Sequence, residues 1–126
     1  MYLNWTVGLN DKNLNFLVKV QLFKDKLAGF EDLLKNRYFM TKKEFSEDLK
    51  EAGFSSLKFY DLGIYYTLST KKWCEIDFRG DKEKQMRLNE FIKELIGREN
   101  HEGIDIKIEG DDIQMKIPAL ISVAVK

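Results

Sequence analysis

Between positions 104 and 117 apolar and polar residues alternate on both sides of a single interruption at Gly110-Asp111. Ile104, Ile106 and Ile108 are followed by Ile113, Met115 and Ile117, and Asp105, Lys107, Glu109, Asp112, Gln114 and Lys116 fill the positions between. A period of two fits only an extended chain, whose side chains point to opposite faces in turn. Gly110-Asp111 at the midpoint suits a two-residue type II′ turn. The segment therefore commits the chain to an antiparallel hairpin with one buried face, and the rest must supply the layer that covers it.

Two helices with readable ends can form that layer. Leu88, Phe91, Ile92, Leu95 and Ile96 make an i, i+3, i+4, i+7, i+8 stripe, with Asp81 as the cap before it and Gly97 at its close. Thr41-Lys42-Lys43-Glu44 is a capping box that opens a helix carrying Phe45, Leu49 and Ala52, which Gly53 ends in a left-handed conformation with Phe54 folding back. A further helix is expected from a cap at Asp25 to about residue 35, burying Leu27, Phe30 and Leu34.

Two more hairpins complete the expected sheet. Leu3, Trp5, Val7 and Leu9 alternate, Asn10 to Asn13 are turn residues, and Leu14, Phe16, Val18, Val20 and Leu22 alternate again. Phe16, Val20, Phe23, Leu27, Phe30 and Leu34 also keep helical spacing, so 14–23 fits either state. The strand is favoured because β-branched residues and alternation agree. In the middle, Ile64, Tyr66 and Leu68 pair with Phe78, Ile76 and Cys74 across Thr70-Lys71-Lys72, and 57–60 adds a short strand. The polar face of that hairpin carries Tyr65, Thr67, Ser69, Trp73, Glu75 and Asp77. After Pro118, the uncharged stretch 119–125 is a further strand, central in the sheet or else at an interface between chains.

The expected fold is a two-layer α+β domain spanning 1–126. Its mainly antiparallel sheet is built from three hairpins in the order ββ-αα-ββ-α-ββ, and about three helices pack on one face. The 126 residues, with nine Phe, five Tyr and two Trp, suffice for one core.

Composition excludes several functional classes. No apolar run approaches the roughly 20 residues of a membrane span, and no leader pattern is visible at Met1. One cysteine forms no intrachain disulfide. A cytoplasmic protein without membrane contact is expected. Lys plus Arg and Asp plus Glu are both 21, which disfavours a polyanion as obligatory partner. No glycine-rich phosphate loop occurs, and His101 with the distant Cys74 makes no zinc ligand set. No cofactor and no metal site are expected. Cys74 reads as a core residue and His101 as a solvent-exposed loop residue.

The order of elements from Thr41 to Glu109 resembles the core of restriction-endonuclease-like nucleases. Those enzymes bind a divalent metal through an acid pair and place a lysine two residues after the second acid. Here Glu75-Ile76-Asp77 has Asp at the lysine position, and Asp105-Ile106-Lys107 follows the helix instead. The departure leaves Glu75 and Asp77 as members of a solvated strand face.

The expectation for function is a small non-catalytic protein acting through contact with another protein, as an inhibitor, an immunity-type protein or an accessory subunit, and itself a monomer or homodimer. Tyr65, Trp73, Glu75 and Asp77 form the expected contact face, because exposed aromatics anchor binding surfaces. The alternative is association with nucleic acid through Lys71, Lys72 and Trp73, since cations beside an aromatic ring suit single strands. A metal-dependent enzyme built on Glu75 and Asp77 ranks below both.

Overall fold

The computed structural model describes residues 2–7, 9–30 and 41–125. In chain order the elements are β1 (Tyr2–Val7), α1 (Leu14–Ala28), α2 (Lys42–Glu51), β2 (Ser56–Ser69), α3 (Thr70–Ile76), α4 (Lys82–Ile96), β3 (Asp105–Glu109) and β4 (Asp112–Val125). The class is α+β with an antiparallel sheet. The order of three hairpins is corrected: only β3–β4 is a hairpin.

The locally encoded elements form where their residues place them. Ile108 faces Ile113 and Ile106 faces Met115 across the turn. Gly110 has φ 61° while Asp111 is not among the residues with positive φ, as a type II′ turn requires. Thr41 Oγ1 accepts the Glu44 amide at 3.2 Å and the Glu44 carboxylate accepts the Thr41 amide, closing the capping box. At the other end of α2 the Phe54 amide reaches the Leu49 carbonyl and the Gly53 amide that of Lys50, with Gly53 at φ 97°. That pair of bonds satisfies carbonyls the helix leaves open. Asp81 caps α4 by accepting the amides of Glu83 and Lys84.

Strand β4 organises the sheet. Along one edge it pairs with β2 from Gln114 to Val125. Its other edge is shared: β3 pairs with Asp112 to Lys116, and β1 with Ala119 to Ala124. Pro118 lies between these two partners, at a place in a central strand where a missing amide donor is tolerated. The stretch 119–125 is therefore interior to the sheet, the first of the two places its sequence allows. Opposite it, β2 shifts register between Asp61 and Tyr65. Gly63 takes φ 72° there, and its amide donates to the Asp61 carboxylate at 2.9 Å.

Helices cover both faces of the sheet, at different ends. Ile113, Met115 and Ile117 are fully buried in one cluster with Phe16, Leu17 and Val20 of α1, Cys74 of α3, and Leu88, Ile92 and Leu95 of α4. Each such side chain contributes roughly 1.5–3 kcal/mol by leaving water. Ser122 and Ala124, also fully buried, alternate onto the opposite face. Phe59 pairs with Ser122 in register, and its ring lies 6.3 Å from that of Phe45 in α2. The expectation of helices on one face is thus corrected.

The stretch 14–22 is helix, not strand. Phe16, Leu17, Val20, Gln21, Lys24 and Asp25 are its buried residues, a helical stripe in which half the members are polar. A count of apolar positions alone, which finds both periods here, omits these polar members and so does not decide between them. The turn residues before it start the helix: the Asn10 carboxamide accepts the amides of Lys12 and Asn13. Asp25 lies inside α1 instead of capping a helix, and α1 ends at Gly29 with φ 80°. Of the helix expected over 25–35, positions 31–35 lie outside the described residues.

Candidate functional site

The expected contact face on a middle hairpin does not form. Past Ser69 the chain leaves β2 and enters α3 directly, and hydrogen bonds within the junction and to the start of β4 hold it there. The Ser69 hydroxyl accepts the Lys72 amide at 3.3 Å, and Asp112 Oδ1 accepts both the Ser69 hydroxyl at 2.8 Å and the Lys71 amide at 3.1 Å. Thr70 Oγ1 accepts the amide of Ile113 at 3.1 Å. Cys74 in α3 and Phe78 just past its end are the buried pair, while Ile76 is exposed. Three alternating apolar residues were too few to separate a strand from a helical turn.

The candidate residues are consequently dispersed. Tyr65 stays exposed on β2. Glu75 is exposed on the outside of α3, and Lys71 and Lys72 are exposed on its first turn. Trp73 packs partly buried against the core, one helical turn from Asp77. The acid pair Glu75 and Asp77 therefore shares no strand face. Lys24 Nζ stands over the Trp73 ring, 5.0 Å from the centroid, and takes up one of its faces.

Trp73 and Asp77 belong instead to a buried charge cluster that sequence reasoning missed. Lys24 Nζ lies 2.8 Å from Asp77 Oδ2 and 3.0 Å from Asp25 Oδ1, with Lys24 only 4% and Asp25 0% exposed. An ammonium enclosed by two carboxylates and an indole face is a staple between α1 and α3, not a nucleophile open to substrate. Buried charges must be paired, so the helical position of Lys24 beside Gln21 and Val20 was the available signal.

Asp112 ties the same region to the hairpin. Partial burial pushes its carboxyl up, but hydrogen bonds from the Ser69 hydroxyl, the Lys71 amide and the Gln114 side chain, with the Lys71 charge, outweigh that and hold it below its usual value. A carboxyl depressed in the folded chain stabilises it above the ordinary carboxylate range, and this is lost as pH falls through the folded value. Asp112→Asn is expected to cost about 1 kcal/mol at pH 7 and progressively less toward pH 3. Urea midpoints of both proteins across that range check it; a gap independent of pH would contradict it.

His101 is half-buried, not solvent-exposed: its ring centroid is 5.3 Å from that of Phe16, and Nδ1 is 3.2 Å from the Glu99 carbonyl. Cys74 is a buried free thiol in the core, as expected. Among the described residues no group of three or more His, Cys, Asp or Glu stands together to hold a metal ion. None of the helices in those residues is long and apolar enough to cross a membrane.

The most conspicuous surface feature is the outer edge of β2. This strand ends the sheet, and among the described residues no strand pairs with its far edge. Residues 60–67 are all exposed. Tyr60, Leu62, Ile64, Tyr65 and Tyr66 lie between 44% and 59% exposed, with Asp61 the single charge among them. Alternation places Ile64 and Tyr66 on a buried face, but both are exposed, because 57–60 and 64–68 are one long strand that outruns the helices and only Leu68 reaches the core. A run of five large apolar residues with one charge was the signal available.

No family model, curated protein or solved structure matches this chain significantly.

Proposed function

We propose that this protein is a small non-catalytic binding protein of the cytoplasm that acts through contact with another protein, as an inhibitor, an immunity-type protein or an accessory subunit. The observation that carries the proposal is the free edge of β2 with its exposed Tyr60, Leu62, Ile64, Tyr65 and Tyr66. Soluble proteins blunt long sheet edges with lysines, prolines or cover, and an apolar edge left open is a template for another strand. The contact moves from the face first expected, of which only Tyr65 belongs to this edge. The dispersal of Glu75 and Asp77 and the occupation of one Trp73 face by Lys24 take support from the enzyme and nucleic-acid alternatives.

The test is affinity capture with the tagged chain from its native cell extract, with and without nuclease, beside the same capture with Tyr66→Lys. A stoichiometric protein that survives nuclease and is lost with Tyr66→Lys is the expected result. Capture of nucleic acid alone, abolished by nuclease, would overturn it in favour of the lysine clusters.

A further inference from the structure

The seam between α1 and α4 holds a groove of about 310 Å³, lined by Lys19, Leu22, Phe23 and Lys26 of α1 and Phe91 of α4. None of these residues belongs to β2, so the groove is independent of the edge described above. The Phe23 and Phe91 rings stack nearly parallel, with centroids 4.2 Å apart. Both are only partly buried, and Leu22 beside them is 37% exposed. We propose that the groove is a binding site for a small amphipathic anion, a flat aromatic body of one or two rings that carries a single carboxylate.

Size and lining set the body of the ligand. Sites for small molecules run from about 300 to 1,000 Å³, mostly apolar, with a few polar groups that fix orientation. This groove stands at the lower end, enough for one or two rings and too small for a helix roughly 10 Å across. The stacked phenyl rings and Leu22 offer uncharged surface that a flat aromatic body takes out of water.

Charge sets the other half. Both charged residues of the lining are lysines, and they are not equivalent. Lys19 Nζ is held by Glu99 Oε2 at 2.6 Å, so that end of the groove is neutralised and Lys19 contributes its aliphatic stem. Lys26 is exposed, and among the described residues no carboxylate pairs with it. The helices run antiparallel, since Lys19 meets Glu99 past the end of α4 while Phe23 meets Phe91. The turn of α1 with Lys26 therefore comes level with the turn of α4 that holds Arg87, four residues before Phe91 and on the same side of the helix. Arg87 is exposed and likewise has no ion-pair partner among the described residues. Glu94, three residues after Phe91, is itself held by Arg98 at 3.8 Å. The groove thus has a neutral end at Lys19 and a cationic end at Lys26 and Arg87. A ligand with an apolar body and one negative charge matches both ends in a single orientation, and a cation is repelled.

The test is an NMR titration of the full chain with 2-naphthoate, beside 2-naphthalenemethanol as its neutral counterpart. A probe of about 13 heavy atoms in so open a site binds with a dissociation constant of roughly 1 mM. Amide shifts should concentrate in 19–27 and 87–94, and the alcohol should bind several-fold more weakly. Lys26→Glu should leave the melting temperature little changed, because the position is exposed. It should weaken 2-naphthoate at least about fivefold and let 2-naphthylmethylammonium bind in its place. No shifts at about 10 mM probe, shifts centred elsewhere, equal affinity for acid and alcohol, or indifference to Lys26→Glu would each overturn the proposal.

Discussion

Lys24→Met lowers the folding stability of this protein by about 3–5 kcal/mol, the cost of removing one partner from a buried ion pair. Met keeps the aliphatic stem in place, so packing changes little. What is withdrawn is the ammonium that Asp77 and Asp25 face at 2.8 Å and 3.0 Å, in a site where Asp25 meets no solvent. The contact of the cation with the Trp73 face goes with it. A surface pair sets the contrast. Lys12 and Glu102 are 3.0 Å apart, but both side chains are mostly in water, so Lys12→Met should cost less than about 1 kcal/mol. Urea denaturation of the two variants beside the parent chain decides it, read as the midpoint at constant slope. If the two substitutions cost the same, the Lys24 cluster is solvated in solution and does not staple α1 to α3.

Phe16→Ala has an effect of similar size, about 3–5 kcal/mol and a fall in melting temperature of roughly 10–20 °C. Phe16 is wholly buried, with Leu17 and Val20 beside it in the core and the His101 ring against it. Its neighbours make the experiment diagnostic of α1. In a strand, Phe16, Val18 and Leu22 share the buried face and Leu17 looks outward. In the helix, Leu17 is buried at 4% exposure while Leu22 is 37% exposed. Leu17→Ala should therefore cost about 2–5 kcal/mol, and Leu22→Ala less than about 1 kcal/mol. The reverse ranking would restore the strand.

These two experiments address the places where the sequence was hardest to read. At 14–23 two periods coexisted in the same residues, and the one that holds is carried partly by Gln21, Lys24 and Asp25, polar residues that no apolar count includes. At 70–78 the choice between strand and helix was made by Ser69, Thr70 and Asp112, of which Asp112 lies more than 40 positions along the chain. The candidate site suffered accordingly. Tyr65 was recognised as an exposed aromatic, but its companions Tyr60, Leu62, Ile64 and Tyr66 were not, because edge position is a property of the sheet and not of the strand. Trp73 and Asp77 were singled out for a surface and turned out to serve the packing of α3.

What the sequence determined by itself is what local chemistry can close within one turn of chain. The Thr41–Glu44 capping box, the Asp81 cap, the Gly53 and Gly110 turns, the apolar stripe of α4 and the β3–β4 hairpin all formed as read. Each satisfies its own backbone groups with neighbours a few residues away, so no distant partner can outvote it. The tertiary structure alone decided the state of α1 and α3, the central place of β4, the division of helices between two sheet faces, and the open edge of β2. Those outcomes depend on which remote groups meet a buried charge, a helix start or a strand edge. Meetings of that kind are set by burial of the whole chain, and a single sequence window does not contain them.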